Sequence, residues 1–182
     1  MTSVKTQDAA PATLPIADRY LEVLAVLCER LPLPAVNWAL TGSVGHRLQG
    51  VDVEIHDVDV QTDADGALQA AERLREHVVA APRWRESELM RSLLGALRIH
   101  DVTVELMGAI QKRPGPGHPW TEPTDPAAHR VIVRRNRLAI PALSLDYEAG
   151  AYASIGRHER AELLRAAAKA WREGRGHGVI RQ

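Results

Sequence analysis

Two aspartates set two positions apart, Asp57 and Asp59 in "HDVDVQTD", are the residues of this chain whose type and spacing most directly imply chemistry. Val58 and Val60 alternate with them, so in an extended strand the valines share one face and the aspartates the other. Two carboxylates on one face repel each other, and no basic residue lies within the strand to relieve them. A divalent cation would, and hard ions such as Mg²⁺ favour carboxylate oxygen. Upstream, "AVNWALTGS" reads as an apolar strand that stops at Gly42-Ser43. Glycine there lets the backbone approach a ligand closely, and the helix that follows presents free N–H groups suited to phosphate. Downstream, Glu105 in "VTVELMG" is a third carboxylate, mid-strand on the face away from Val104 and Leu106. Singly, each feature reads as something plain: a solvated strand face, an ordinary strand-to-helix turn, an exposed edge glutamate. Their order and spacing are the more specific signal.

The elements that must position these residues follow from periodicity. Ile16, Tyr20, Val23, Leu24, Leu27 and Leu31 mark one face of a helix over 15–31, ended by Pro32. A strand over 36–41 leads through Gly42-Ser43 into a short helix over 44–48. Val51, Val53 and Ile55 are apolar at odd positions and Val58 and Val60 at even ones. The apolar face therefore switches sides near His56, which predicts two elements, or one with a bulge, over 51–55 and 57–62. A helix capped by Asp63 or Asp65 follows, with Ala67, Ala70, Ala71, Leu74 and Val78 as its buried stripe. "GALRIHDVTVELMG" predicts a hairpin with arms over 96–99 and 102–107 turning at His100-Asp101. Residues 114–126 form a Pro/Gly-rich loop. "VIVRRNRLAIP" predicts a second hairpin turning near Arg135-Asn136. Helices over about 144–155, stopped by Gly156, and 158–173 close the chain. This order gives an α/β (α+β) domain with a mixed sheet flanked by helices. Its divisions are a disordered leader (1–13), a core (14–143), a C-terminal helical segment (144–173) and a flexible tail (174–182).

Composition bounds the function. A chain of 182 residues suits one domain, or one domain with a small helical appendage. With 23 basic and 23 acidic residues it has none of the basic excess of a general nucleic-acid binder. Only Lys5, Lys112 and Lys169 are lysines; arginine supplies the remaining cations. The single cysteine, Cys28, forbids an internal disulfide and fits a reducing, cytoplasmic setting. No apolar run approaches a membrane span. The pairs His56-Asp57 and His100-Asp101 lack the further helical ligands that a metal phosphohydrolase needs. Ser43 lacks the G-x-S-x-G elbow of a hydrolase nucleophile. Arg83, Arg85 and Arg91 bracket Trp84 and read as a solvated surface, with nucleotide or acceptor contact as the alternative.

The stretch "LTGSVGHRLQG…HDVDVQTD…VTVELMG" resembles the nucleotidyltransferase superfamily that includes DNA polymerase beta and the small antibiotic-modifying nucleotidyltransferases. Thirteen residues separate Ser43 from Asp57, the long end of the family's spacing. The ending "IPALSLDYEAGAYASIGRHERAELL" is similar, more loosely, to the C-terminal helices of small bacterial members. The resemblance implies that Gly42 and Ser43 hold a nucleoside triphosphate and that Asp57 and Asp59 bind Mg²⁺, with Mn²⁺ as a substitute. It implies that Glu105 completes the metal site or takes the acceptor proton. Many relatives carry a lysine where Ser154 aligns; Arg157 or Arg47 would serve the nucleotide in its place. The implied reaction is transfer of a nucleoside monophosphate to a hydroxyl acceptor, a small molecule such as an antibiotic first, with RNA or protein as further options. The rival reading is a non-catalytic nucleotide-binding regulator or toxin–antitoxin component on the same fold.

Overall fold

A computed structural model describes residues 14–173 and 179–181. The first helix, α1 (Asp18–Arg30), buries Tyr20, Val23, Leu24 and Leu27, the stripe its spacing predicts. Strand β1 (Trp38–Thr41) runs directly into α2 (Gly42–Leu48). Residues 51–57 have no regular structure, and β2 spans Val58–Thr62. The expected element over 51–55 is thus irregular chain, and the phase break marks where that chain enters β2. Val51 and Val53 pack with Leu145, Ala149, Leu164 and Ala168 of the C-terminal helices, whereas Val58 and Val60 enter the main core. Helix α3 (Ala64–Arg73) is capped by Asp63, whose carboxylate accepts from the Gly66 N–H at 2.6 Å.

Past α3 the structure corrects the expected helix stripe. A short 3₁₀ turn (Arg75–His77) ends the helical run, and Val78 opens β3 (Val78–Glu86). This strand is exposed along most of its length. With no buried face it has no period-two signature to read. The strands β4 (Met90–Ile99) and β5 (Val102–Lys112) form the expected hairpin, longer than predicted, with His100 at φ 51 in its turn. After α4 (Pro126–His129), β6 (Arg130–Arg135) and β7 (Leu138–Leu143) make the second hairpin, with Asn136 at φ 54. Asparagine tolerates that left-handed conformation best among residues with a side chain. Helices α5 (Leu145–Ala153) and α6 (His158–Glu173) complete the body, joined by an Arg172–Asp146 ion pair.

Val179–Arg181 form β8, antiparallel to β6. A loose tail was expected over those residues. The leader (1–13) and the rest of the tail lie outside the described residues. The sheet order is β3-β4-β5-β2-β1-β7-β6-β8, with β2–β5 and β1–β7 parallel and the other pairs antiparallel. It is the mixed sheet expected. β2 sits at the middle of this order, so its side chains are the ones most shielded by neighbours. Cys28 packs against the core, and burial pushes its thiol up to about 11. No helix among the described residues is long and apolar enough to cross a membrane.

Candidate active site

The register of three strands brings the sequence-predicted acids together. Thr41 pairs with Asp59, and Asp59 pairs with Glu105. Paired residues on neighbouring strands share a face, so Asp59 and Glu105 stand side by side, one strand spacing apart. Asp57 sits on the bend immediately before β2. The loop that delivers it is pinned twice. The Tyr20 hydroxyl donates to the Ile55 carbonyl at 2.9 Å, and Arg47 donates to the Val53 carbonyl at 2.8 Å.

Gly42 shows why the strand must end in glycine. Its φ is +65°, and a Cβ built there would lie 2.0 Å from Asp59 Oδ2. The backbone is therefore pressed against the carboxylate, a closeness no other residue permits. Ser43 follows with its Oγ buried and without a hydrogen-bond partner among the described residues. A buried hydroxyl of that kind costs stability unless something supplies the missing bond. Asp59 is itself under electrostatic pressure. Burial foremost, then the charges of Asp57, Glu105 and Glu148, raise its pKa from 3.8 to about 7. A cation or a proton relieves that pressure.

Asp59, Thr41 and Gly42 line a cavity of ≈ 220 Å³ closed on its far side by α5. Three groups in it escaped the sequence reading. Glu148 is only 3% exposed and accepts from the Thr41 hydroxyl at 2.7 Å. Its other oxygen lies 3.2 Å from Nε2 of the fully buried His46, within ion-pair distance but off the hydrogen-bond axis. Lys112, at the end of β5, also lines the cavity; burial lowers its pKa, opposed by the Glu148 charge. Tyr152 stands opposite, its hydroxyl pKa raised by burial and then by Glu148. The available signals were the scarcity of lysine and a glutamate heading the otherwise uncharged stretch "EAGAYA".

The predicted nucleotide contacts divide. Gly42 and Arg157 line the cavity, and Ser43 adjoins Gly42. Arg47 is not brought there. Its guanidinium donates to the Pro15 carbonyl at 2.8 Å and pairs with Asp52 at 2.7 Å, as well as holding Val53. Ser154 caps α5 and donates to the Ala151 carbonyl; Lys112 supplies the cavity with a lysine from another element. Among the described residues no three acidic, imidazole or thiol side chains converge tightly enough to enclose an ion. Divalent ions such as Mg²⁺ are commonly held by one or two carboxylates together with substrate phosphates. The orphaned Ser43 hydroxyl and the crowded acids fit such a metal–triphosphate group.

A Gly-Ser strand end pressed on one of two spaced aspartates, with a third acid in register on the next parallel strand of a mixed sheet, defines the nucleotidyltransferase class. The chain belongs to the aminoglycoside-2''-adenylyltransferase family, whose profile matches residues 22–167. It is a nucleotidyltransferase. Among solved structures, the chain is similar to a Thermotoga maritima protein described as a candidate nucleotidyltransferase. The two are 41% identical with a TM-score of 0.74, covering 84% of this chain and 94% of that one. No curated protein matches the chain.

Proposed function

We propose that the protein transfers a nucleoside monophosphate from an NTP to the hydroxyl of a small acceptor, with Mg²⁺ as the working ion. The carrying observation is the wedging of Asp59 between the Gly42 backbone and Glu105. In this reading Gly42 and Ser43 hold the triphosphate, and Lys112 and Arg157 offset its charge. Asp57 and Asp59 bind the metal, which on binding would neutralise charge developing on the transferred phosphoryl group. Glu105 takes the acceptor's hydroxyl proton. The new bond joins the acceptor oxygen to the α-phosphorus, the bond to the bridging oxygen breaks, and pyrophosphate leaves. Glu148, held by Thr41 and near His46, positions the β1 end of the site. A regulator that only binds nucleotide has no use for Glu105 in register with Asp59.

The test is to mix the protein with Mg²⁺ and each of the four NTPs over a panel of hydroxyl acceptors, and to follow melting and pyrophosphate release together. Ligand at 100 times its dissociation constant stabilises a fold by about 2.7 kcal/mol, which is roughly 5–11 °C for a domain of this size. Absence of any Mg²⁺-dependent shift at millimolar NTP would sink the reading. Binding without pyrophosphate release would favour the regulator.

A further inference from the structure

The cleft face of the sheet does not end at Glu105. The row Thr41–Asp59–Glu105 continues through Ala96 of β4 to Ala80 of β3. Along it runs a second cavity of ≈ 430 Å³, floored by Ala80, Leu94 and Ala96 and reaching Glu105 at one end. Its charged lining is Arg83, Arg85 and Glu105, two cations against one acid. The placement of the arginines has a specific cause. Ala80 pairs with Ala96, and Arg83 pairs with Leu94, so β3 takes three steps where β4 takes two. The extra residue marks the second of two β-bulges in this strand; the first lies between Val78 and Ala80, where two steps on β3 meet one on β4. Pro82 holds the bulge against Gly95, where an added Cβ would meet the proline ring at 3.0 Å. The two bulges together preserve the alternation, and the pairing of Arg83 with Leu94 and of Arg85 with Ser92 sets both arginines on the Glu105 face. Neither guanidinium pairs with a carboxylate among the described residues.

We infer that this groove is the acceptor subsite and that it takes a hydroxyl compound carrying an anionic group, a phosphate or a carboxylate. The inference rests on the transfer reading above. Glu105 is the one group shared by the groove and the carboxylate row, so a hydroxyl placed at Glu105 leaves the rest of the acceptor lying towards β3. Strands lie roughly 4.8 Å apart, so β3 stands two spacings, roughly 10 Å, from the Glu105 strand and three, roughly 14 Å, from the Asp59 strand. That span matches a disaccharide or a comparable molecule. Arginine's planar fork suits phosphate and carboxylate oxygens. A polyamine-bearing acceptor, of the kind the family's name describes, would meet two like charges there.

The test uses the full chain without nucleotide. Calorimetric titration at fixed ionic strength compares matched mono- and disaccharides that carry a phosphate, a carboxylate, no charge, or amines. The anionic member of each set is expected to bind at least about tenfold tighter than its neutral parent, and the amine weakest. The double variant Arg83→Gln/Arg85→Gln, folded by its melting curve, should erase that selectivity. Equal or tighter binding of the neutral and amino members overturns the inference. So does a double variant that keeps wild-type selectivity, which would return the arginines to a solvated edge. Because no NTP is present, such failure leaves nucleotide transfer to another acceptor standing. Anion selectivity retained in a protein that binds no Mg²⁺–NTP would instead overturn the transfer reading alone.

Discussion

The two ends of the cleft face use charge in opposite ways. Around β1, β2 and α5, Glu148 and His46 are buried, and partial burial together with the charges of Asp57, Glu105 and Glu148 raises the Asp59 carboxyl to about 7. Along β3 the arginines are exposed beside Trp84, which is 56% exposed. The difference follows from position in the sheet. Central strands are covered on both sides, so ionising a side chain there is costly and its state responds to whatever binds. Edge strands keep water, so their charges stay ionised and serve recognition. The central end suits bond making and the outer end suits selection.

The sharpest way to break this comparison is at its centre. Asp59→Asn should lower turnover about 10³-fold or more, since it removes a carboxylate proposed to hold the metal. The same change should stabilise the apoprotein, and the sign depends on pH. The folded-state pKa of Asp59 is raised from 3.8 to about 7. Its contribution to stability is therefore fully present below about pH 4 and is lost as pH rises through 7. Wild type should weaken across that window relative to Asp59→Asn, by up to about 4 kcal/mol at 1.36 kcal/mol per unit. Melting curves from pH 4 to 8, without and with Mg²⁺–NTP, are the measurement. Parallel pH curves for the two proteins would remove the electrostatic argument.

Glu105→Gln sits at the junction of the two ends. Turnover should fall about 10²-fold with NTP affinity nearly kept, the pattern of a group acting in the transition state. Single-turnover transfer beside NTP titration reads both quantities, and undiminished transfer would deny Glu105 its role. Glu148→Gln should cost roughly 10–100-fold, the range seen when a group supporting a metal site is altered. A positioning role moves kcat and its pH profile. A packing role moves only the melting temperature.

Much of the central end was legible in sequence because local rules suffice there. Alternation in "HDVDVQ" separates acids from valines, and Gly42-Ser43 marks the strand end. Glu148 was not legible, because its burial comes from α5 docking on β1, more than a hundred residues away in the chain: the Thr41–Glu148 bond spans |i−j| of 107. β3 escaped for a different reason. An exposed edge strand with a proline and two bulges has neither period-two burial nor a phase legible from spacing, so Arg83 and Arg85 could not be assigned a face. Arg47 shows the converse. An arginine beside a Gly-Ser turn invites a phosphate role, yet a long-range contact with Pro15 and nearer ones with Asp52 and Val53 take its guanidinium.

The smallest effect expected on chemistry therefore belongs to Arg47. Arg47→Ala should cost about 1–3 kcal/mol of stability through lost charge-assisted hydrogen bonds and leave turnover within about twofold. Denaturant unfolding and initial rates decide it. A large rise in KM for NTP at wild-type stability would put Arg47 back beside the nucleotide.

Cys28 gives the molecule a practical property. With its thiol pushed up to about 11, only about one molecule in 10⁴ carries the reactive thiolate at pH 7. The sole native cysteine is thus nearly silent toward alkylating dyes at neutral pH. A single cysteine introduced at the exposed Ala81, beside the groove arginines, can be tagged selectively with the native residue left in place. A fluorophore there would follow filling of the groove in real time, separately from nucleotide binding at the far end of the same sheet face.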